Sequence, residues 1–222
     1  MFEGFSPATI DFMRSIRLNN NKPWFEAHKD DYKHHFHAPM KALGQDVFAR
    51  INAAYGGRGF VHKLSRIYRD ARRVRDGNPY RDHLWFSIEK PTGAGDSNDV
   101  LTFWFSLGPD EWSYGLGYYA AKAATMENFR ARVNTNPNAL ETLVNRLHNQ
   151  NEFALEGPEY ARPKTAPTPK TQAWYNKKSF SLIHYGQIDD ALFAPAFADR
   201  LVEGYAALMP FYDYFAGIEN HG

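Results

Sequence analysis

The 222-residue sequence contains no cysteine, so disulfide bonds, iron–sulfur clusters, thiolate zinc sites and cysteine nucleophiles are all excluded. Its apolar runs are far shorter than the about 20 residues that a membrane-spanning helix needs. The first residues include Glu3 and Asp11 and do not resemble a secretory signal. We therefore expect a cytoplasmic protein that makes no membrane contact.

An excess of charge of either sign is also absent, because 26 lysine and arginine residues face 25 aspartate and glutamate residues. A near-neutral chain lacks the broad positive field of proteins that coat nucleic acids. With 43% apolar and 16% aromatic residues, the chain can build a buried core and is not intrinsically disordered. Its length suits one domain.

Hydrophobic periodicity predicts a single α+β domain over residues 1–222, with an antiparallel sheet packed by N-terminal, middle and C-terminal helices. Short aromatic and β-branched runs separated by turn residues favour a meander over βαβ units. The predicted regions are a helical part at 6–57, a sheet core at about 60–120, helices at about 125–149, a proline-rich extended crossing at 158–171 and a C-terminal helix at about 190–215. The predicted strands are 84–88, 100–107 and 111–119, with shorter ones at 153–155 and 179–184.

Proline and small polar residues predict where the helices begin and end. Ser6 followed by Pro7 is typical of a helix start. Pro23 should begin a second helix that runs to about residue 36, and Pro39 should kink or restart it. Further signals of this kind are a candidate helix cap at Thr125 and a helix end or bend at Pro210.

Positive charge is concentrated in residues 63–82, where seven lysine and arginine residues face three aspartates. This segment carries +4, so the rest of the chain carries −3. Six of the seven cations are arginine, whose planar guanidinium binds a carboxylate or phosphate at two points. The segment is either a binding site for an anion or a solvated face of Arg–Asp pairs. Its local conformation, strand or helix, is open from the sequence.

A second segment of interest is 19–32, which is rich in asparagine and aromatic residues. Glu26 and Lys29 are spaced to pair on a helix surface. Trp24, His28 and Tyr32 follow one another at intervals of four and form an aromatic stripe. The stripe is either part of the core or a platform on which a ring or base stacks.

These segments resemble a widespread bacterial and fungal family of conserved hypothetical proteins, domain of unknown function 2461. That family carries Arg-x-x-Arg-Asp-x-Arg-Phe, then an Asp/Asn-Lys pair and a tyrosine. The matching parts of this chain are 65–72 (SRIYRDAR) continuing through Asp76 to Tyr80, 19–26 (NNNKPWFE), 4–7 (GFSP), and the glycine-rich strand at 115–119 followed by a helix that carries Arg130. The chain departs from the pattern at two positions, with Arg73 in place of the phenylalanine and Gly77 in place of the lysine. The resemblance implies an α+β fold but brings no activity, cofactor or substrate.

Two other motifs are weak. The run 115–120 matches G-x-G-x-x-A, but a dinucleotide site needs this motif between a buried parallel strand and a helix. His28, Asp31 and His35 share a helix face, as metal ligands can, but their surroundings are densely polar and offer no carboxylate to orient the histidines. We therefore expect neither a metal nor a cofactor.

Our first functional hypothesis is a site, binding or catalytic, for a small molecule with a phosphate or carboxylate group. The expected ligand-binding residues are the clamp of Arg66, Arg69 and Arg72, the wall of Trp24 and Glu26, and Asn21 and Arg130 from the family-like segments. The candidate catalytic residues are Asp70 as orienting group or base, and Tyr80 and His83 for proton transfer.

Two alternatives come from other classes of function. The basic segment together with exposed aromatic residues could bind nucleic acid, although the neutral net charge argues against it. The proline-rich crossing at 158–171 could instead serve a protein-interaction module without catalysis. The sequence leaves the oligomeric state open.

Overall fold

A computed structural model describes residues 1–70, 72, 74–91 and 97–219. It confirms the α+β class and the antiparallel sheet. The α-helices are α1 (Pro7–Leu18), α2 (Lys22–Ala27), α3 (Lys29–Asp31), α4 (Ala38–Tyr55), α5 (Ala123–Thr135), α6 (Pro137–His148), α7 (Gln172–Tyr175) and α8 (Phe197–Phe215).

The sheet has six strands in the order β1-β2-β3-β4-β6-β5. The strands are β1 (Val61–Leu64), β2 (Leu84–Glu89), β3 (Thr102–Leu107), β4 (Glu111–Gly117), β5 (Ala154–Glu156) and β6 (Ser181–Gln187). Strands β2, β3 and β4 are neighbours in sequence order, as the meander prediction requires, and β1, which was not predicted as a strand, pairs with β2. The two short strands that were also predicted complete the sheet, with Ala154 opposite Ile183 in an antiparallel pair.

The start of α1 agrees with the Ser6-Pro7 prediction, and the backbone N–H of Ser6 donates to Thr9 Oγ1 at 3.2 Å. The prediction of one helix from Pro23 to about residue 36 was wrong. The chain leaves helical geometry at His28, with φ −113° and ψ 20°, and its Nδ1 lies 2.8 Å from the carbonyl oxygen of Trp24. A π-helical turn, Tyr32–His37, then precedes Pro39 in the first turn of α4.

Two boundaries in the second half of the chain correct the prediction. Thr125 does not cap α5, because Lys122 is the residue before the helix and the Thr125 hydroxyl donates to the buried Asp99 carboxylate at 2.8 Å. The last helix begins at Phe197, after a series of turns, rather than at about 190. Of the two alternatives for Pro210, an end of the helix is excluded, because the helix continues past it to Phe215, the end that was predicted.

The proline-rich crossing is extended, as predicted, but it is tied to the residues that follow it. The backbone N–H of Tyr160 donates to the carbonyl oxygen of Asn176 at 3.1 Å. Gln172 Nε2 donates to the carbonyl oxygen of Lys164 at 2.8 Å. The end of the proline-rich crossing forms a short 3-10 helix that leads into α7. The sequence did not predict α7.

The chain divides into two compact units, each assembled from three stretches of sequence. The first comprises Met1–Ile88, Trp104–Tyr114 and Tyr185–Glu203, and the second comprises Glu89–Phe103, Gly115–His184 and Gly204–Gly222. Phe86 and Phe105 lie in the core of the first unit, and Phe129, Trp174 and Phe180 lie in the core of the second. In the described part of the chain, no helix combines the length and apolar character that crossing a membrane requires.

Candidate functional site

In the segment with the concentrated positive charge, residues 67–69 and 79–81 are extended and pair with each other, which favours the strand over the helix at Arg66–Asp70. Tyr68 and Tyr80 form an antiparallel bridge. The Arg69 N–H donates to the Pro79 carbonyl oxygen at 2.9 Å, and the Arg81 N–H donates to that of Ile67 at 2.8 Å. We call residues 66–81 the arginine hairpin. Because neighbouring residues of an extended chain point to opposite sides, Ile67 is buried while Tyr68 is 52% exposed.

A tight turn at Asp76, Gly77 and Asn78 leads into the part of the hairpin that pairs with residues 67–69. Asp76 Oδ1 accepts the backbone N–H of Asn78 at 3.2 Å. Gly77 has φ +75°, in the left-handed region that favours glycine. The lysine that the family pattern has at this position would adopt that conformation with strain, which gives a local reason for the departure from the pattern.

Two arginines of the hairpin form ion pairs with its two aspartates. Arg69 Nη1 donates to both carboxylate oxygens of Asp76 at 2.8 Å, and Arg72 donates through Nε and Nη2 to Asp70 at 3.0 and 2.8 Å. The side chain of Arg72 is 89% exposed. Exposed pairs of this kind stabilise a fold by only about 0–1 kcal/mol, so another anion can replace the aspartate at low cost.

Arg81 supports the backbone of the hairpin. Its Nη1 donates to the carbonyl oxygens of Arg66 and Tyr68, and its guanidinium lies 4.9 Å from the ring centroid of Trp85. Burial lowers the pKa of Arg81, and the positive charges of Arg69 and Arg66 lower it further. Within the described residues, the exposed Arg66 has no carboxylate in ion-pair distance. Arg73 lies outside the described residues.

Aromatic side chains of the hairpin pack against Phe25 of α2. Tyr80 is only 4% exposed, and its ring stacks on Phe25 at a centroid distance of 4.2 Å. Tyr68 meets Phe25 edge-on at 5.8 Å. Burial raises the pKa of Tyr80, and proximity to the Tyr68 phenol raises it further. The phenol therefore keeps its proton at neutral pH, which suits a donor better than a base.

Two neighbouring asparagines position α2 and the hairpin. Asn21, predicted as a ligand-binding residue, caps α2 through its Oδ1, which accepts the Trp24 N–H at 3.0 Å. Asn20, which the sequence reasoning missed, exchanges two hydrogen bonds of 2.9 Å with the backbone N–H and carbonyl oxygen of Tyr80. The only sequence signal for Asn20 was its place in the family-like asparagine run.

The predicted wall residues lie on α2. The Trp24 ring stacks on the His28 ring at 4.1 Å with an interplanar angle of 15°, and both side chains are half-buried. Lys29 Nζ donates to Glu26 Oε2 at 3.2 Å, which confirms the predicted pair. Phe25, which lies between Trp24 and Glu26 in the sequence, contacts Tyr68 and Tyr80. Helix α2 therefore lies against the arginine hairpin.

Arg130 belongs to the second unit and is 6% exposed. Its guanidinium donates to the carbonyl oxygens of Met126, Tyr175 and Lys177 at 2.9 to 3.1 Å. It also lies 5.0 Å from the ring centroid of Tyr160. These contacts give Arg130 a structural role within its own unit.

His83 faces a polar cavity of about 250 Å³ in the first unit rather than the arginine hairpin. The lining residues are Arg17, Asp82, His83, Ser106, Gly108, Pro109, Asp110, Glu111, Trp112 and Ser113. Arg17 donates to Asp82 and to Asp110, both at 2.6 Å, and His83 Nδ1 lies 2.9 Å from Asp82 Oδ1. The sequence reasoning missed this cavity apart from His83.

The carboxylate of Asp82 interacts with two other residues that line the cavity, Arg17 and His83. Burial alone would raise the pKa of its carboxyl, but the hydrogen bonds from His83 and Arg17 outweigh burial and leave the pKa below its usual range. The carboxylate is therefore ionised at neutral pH and available to orient the imidazole.

Most of the predicted site residues lie in the arginine hairpin or at α2 next to it. Those in the hairpin are Arg66, Arg69, Asp70, Arg72 and Tyr80, and those at α2 are Asn21, Trp24 and Glu26. His83 lines the cavity instead, and Arg130 belongs to the second unit. Among the residues that the structure describes, no three histidine, aspartate or glutamate side chains are grouped so that they could bind a metal ion.

The glycine-rich strand lacks the setting of a dinucleotide site. Gly117 lies at the end of β4, in an antiparallel sheet, and α5 begins only at Ala123. A Cβ on Gly117 would lie 2.4 Å from the carbonyl oxygen of Phe180. The small residue is therefore needed because the backbone next to β6 approaches closely.

Comparison with known proteins agrees with the resemblance noted in the sequence. No curated protein matches the chain. The family described as "Conserved hypothetical protein (DUF2461)" matches residues 8–214, which is nearly the full length. The chain belongs to this DUF2461 family of conserved hypothetical proteins.

Proposed function

We propose that the arginine hairpin binds a small molecule that carries a phosphate or carboxylate group. The observation that carries this proposal is the exposed Arg66, which has no ion-pair partner among the described residues, in a segment with six arginines and two aspartates. Clustered guanidiniums repel one another, and a bound anion relieves that repulsion. The lowered pKa of Arg81, to which Arg69 and Arg66 contribute, is consistent with uncompensated positive charge at this place.

The existing ion pairs of the hairpin are compatible with an incoming ligand. Arg72 is almost fully exposed, and its pair with Asp70 can open without loss of buried contacts. A phosphate offers several oxygens and can accept hydrogen bonds from two guanidiniums at once. In this proposal Arg66 and Arg72 contact the anion, and Asp70 and Asp76 position Arg72 and Arg69 until the ligand binds.

The exposed ring of Tyr68 gives the site room for an organic group as well as an anion. Tyr68 lies between Arg66 and Arg69 in sequence and is one of the few exposed large aromatic side chains. A planar group bound by the arginines could stack on it. Nucleotides, sugar phosphates and dicarboxylates are therefore the ligand classes to test.

A thermal-shift experiment tests the proposal directly. Inorganic phosphate, succinate and a nucleoside monophosphate are compared with sodium chloride at equal ionic strength. We expect at least one of these anions to raise the melting temperature of the wild type, and Arg66→Gln to remove the rise. Arg14→Gln, which removes an exposed arginine of α1, is the matched control and should retain it. If no anion stabilises the wild type more than Arg66→Gln, the proposal is wrong.

A second variant tests whether Arg69 belongs to the site. Asp76→Asn removes the acid that pairs with Arg69 while it preserves the acceptor for the Asn78 N–H. A freed Arg69 should increase the affinity for phosphate by about 10- to 100-fold, since a charged hydrogen bond contributes about 1.5–3 kcal/mol. Calorimetric titration measures this change. An unchanged affinity would exclude Arg69 from the site.

Tyr68 also favours nucleic acid as a second candidate ligand, because an exposed ring among arginines suits base stacking. A short single-stranded oligonucleotide would then bind much more tightly than the mononucleotide, with an affinity that falls steeply with salt. Equal affinities for the two would favour the small-molecule site.

A further inference from the structure

The cavity beside Asp82 contains several polar groups that have no protein partner. Among the described residues, none donates to or accepts from the hydroxyls of Ser106 and Ser113, the carboxylate of Glu111 or the Nε2 of His83. Ser106, Ser113 and His83 are half-buried and Glu111 is exposed. These four groups are therefore available to hydrogen-bond to a polar molecule in the cavity.

The geometry fixes how His83 faces this cavity. Asp82 Oδ1 engages Nδ1 at 2.9 Å, and Asp82 Oδ2 accepts Arg17 Nε at 2.6 Å. With the proton on Nδ1, Nε2 carries a lone pair and acts as a hydrogen-bond acceptor. The ring is further fixed by stacking on Trp85 at 5.8 Å. His83 is thus an oriented acceptor, although its side chain is 45% exposed.

Charge decides the kind of molecule that fits. The cavity is lined by the carboxylates of Asp82, Asp110 and Glu111 but by only one guanidinium, that of Arg17. This excess of negative charge would repel an anion. The cavity should therefore not bind the anionic ligands proposed for the arginine hairpin. Serine hydroxyls, a carboxylate and an imidazole acceptor together match the donors and acceptors of an uncharged compound with several hydroxyl groups.

Trp112 belongs to the lining, but it is only 2% exposed, so it supports the wall of the cavity rather than offering a ring face to a ligand. Its indole N–H donates to the carbonyl oxygen of Gln187 at 2.8 Å, and its ring packs at 4.9 Å against both Phe197 and the guanidinium of Arg200. The ring lies so close to Gly186 that a Cβ there would be 2.0 Å from it.

We propose that this cavity binds an uncharged, hydroxyl-rich small molecule about the size of a monosaccharide, with a ligand hydroxyl donating to His83 Nε2. Its volume of about 250 Å³ is slightly below the about 300–1,000 Å³ of sites for drug-sized ligands, which suits a ligand of this size. The proposal uses residues outside the arginine hairpin and does not rest on the function proposed for it.

The test titrates the protein with D-glucose and myo-inositol as uncharged probes and with glucose 6-phosphate as a charged one. Affinities are measured by calorimetry, and the His83 ring nitrogens are followed by ¹⁵N NMR. We expect an uncharged probe to bind, to shift the Nε2 signal of His83, and to bind at least tenfold more tightly to the cavity than glucose 6-phosphate. His83→Gln and Ser113→Ala should each weaken binding about tenfold, as the loss of one or two hydrogen bonds does.

Controls separate this proposal from the one for the arginine hairpin. His148→Gln, a histidine at the end of α6, and Arg66→Gln should leave binding of the uncharged probe unchanged. Failure of both uncharged probes to shift the His83 signal, or tighter binding of glucose 6-phosphate in a manner that depends on Ser113, would overturn the proposal. Loss of uncharged-probe binding in Arg66→Gln would also contradict it, because the two sites would then be one.

Discussion

Asn20 and Tyr80, sixty residues apart, are joined by two reciprocal hydrogen bonds of 2.9 Å. The side-chain amide of Asn20 donates to the carbonyl oxygen of Tyr80 and accepts its N–H. The amide thus replaces the neighbouring strand that this part of the hairpin would otherwise need. Through this contact the loop between α1 and α2 determines the position of Tyr80, and Tyr80 in turn bridges Tyr68.

Asn20→Ala should therefore destabilise the protein by about 1–3 kcal/mol, because it leaves two backbone groups of a buried residue without partners. Urea unfolding followed by circular dichroism measures the change. Asn52→Ala, at an exposed position of α4, is the control and should stay within about 0.5 kcal/mol of the wild type. Equal stability of Asn20→Ala and the control would show that water replaces the amide without cost.

Thr9 compensates for a hydrogen bond that Pro39 cannot make. The π-helical turn at Tyr32–His37 leads directly to Pro39, which has no N–H to donate to a carbonyl of the preceding turn. The hydroxyl of the fully buried Thr9 donates to the His35 carbonyl oxygen instead, at 2.6 Å. Thr9→Val keeps the shape but removes both this donor and the acceptor of the Ser6 N–H, so it should destabilise the protein by about 1–3 kcal/mol.

A double-mutant cycle checks this interpretation. Pro39→Ala restores a backbone N–H near the His35 carbonyl, so Thr9→Val should destabilise the protein less in the Pro39→Ala background than in the wild type. Urea unfolding of the four proteins gives the coupling energy. If the two changes are strictly additive, Thr9 and Pro39 do not share this carbonyl.

Residues with local periodicity were predictable from the sequence, and residues that act through distant contacts were not. The apolar positions Leu140, Leu143, Val144 and Leu147 define α6 by spacing alone, and all four are buried. By contrast, Asp99 supports the start of α5 from outside the helix, accepting the N–H of Lys122 at 2.8 Å. A contact between residues 23 positions apart leaves no periodic signal in the sequence. The sequence therefore favoured the nearby Thr125 as the helix cap.

The same distinction applies to the candidate sites. The charge cluster of the arginine hairpin is contiguous in sequence, so its residues could be named from composition and resemblance. The cavity takes Arg17 from α1, Asp82 from before β2 and Asp110 from the turn between β3 and β4. Only the fold brings these three residues together. The sequence indicated His83 as a candidate but did not indicate that it lines a cavity with Arg17 and Asp110.

His62 should make stability depend on pH. Its Nε2 is buried without a partner among the described residues, its ring packs near Phe48 and Phe86, and burial lowers its pKa. A histidine with a lowered folded pKa stabilises the protein above its unfolded pKa of about 6.5, and this contribution is lost as the pH falls through the folded value. The unfolding free energy should therefore decrease below about pH 6.5.

His62→Gln tests the source of that decrease. Because glutamine does not titrate in this range, the variant should lose less stability than the wild type between neutral pH and pH values below about 6. Urea unfolding at several pH values measures the difference, with the exposed His34→Gln as the control. A parallel decrease in the wild type and His62→Gln would assign the pH dependence to other groups.

Gly77 offers a test of how backbone conformation and charge oppose each other in the arginine hairpin. A side chain at this position would meet no atom within 4 Å, so the cost of a substitution comes from the φ of +75° alone. Gly77→Lys, which restores the family's lysine, should destabilise the protein by about 1 kcal/mol. Gly77→Asn should cost less, since asparagine tolerates the left-handed conformation. If the hairpin binds anions, the added lysine should nevertheless raise the affinity for phosphate, whereas Gly57→Lys, at an open position without positive φ, should change neither property.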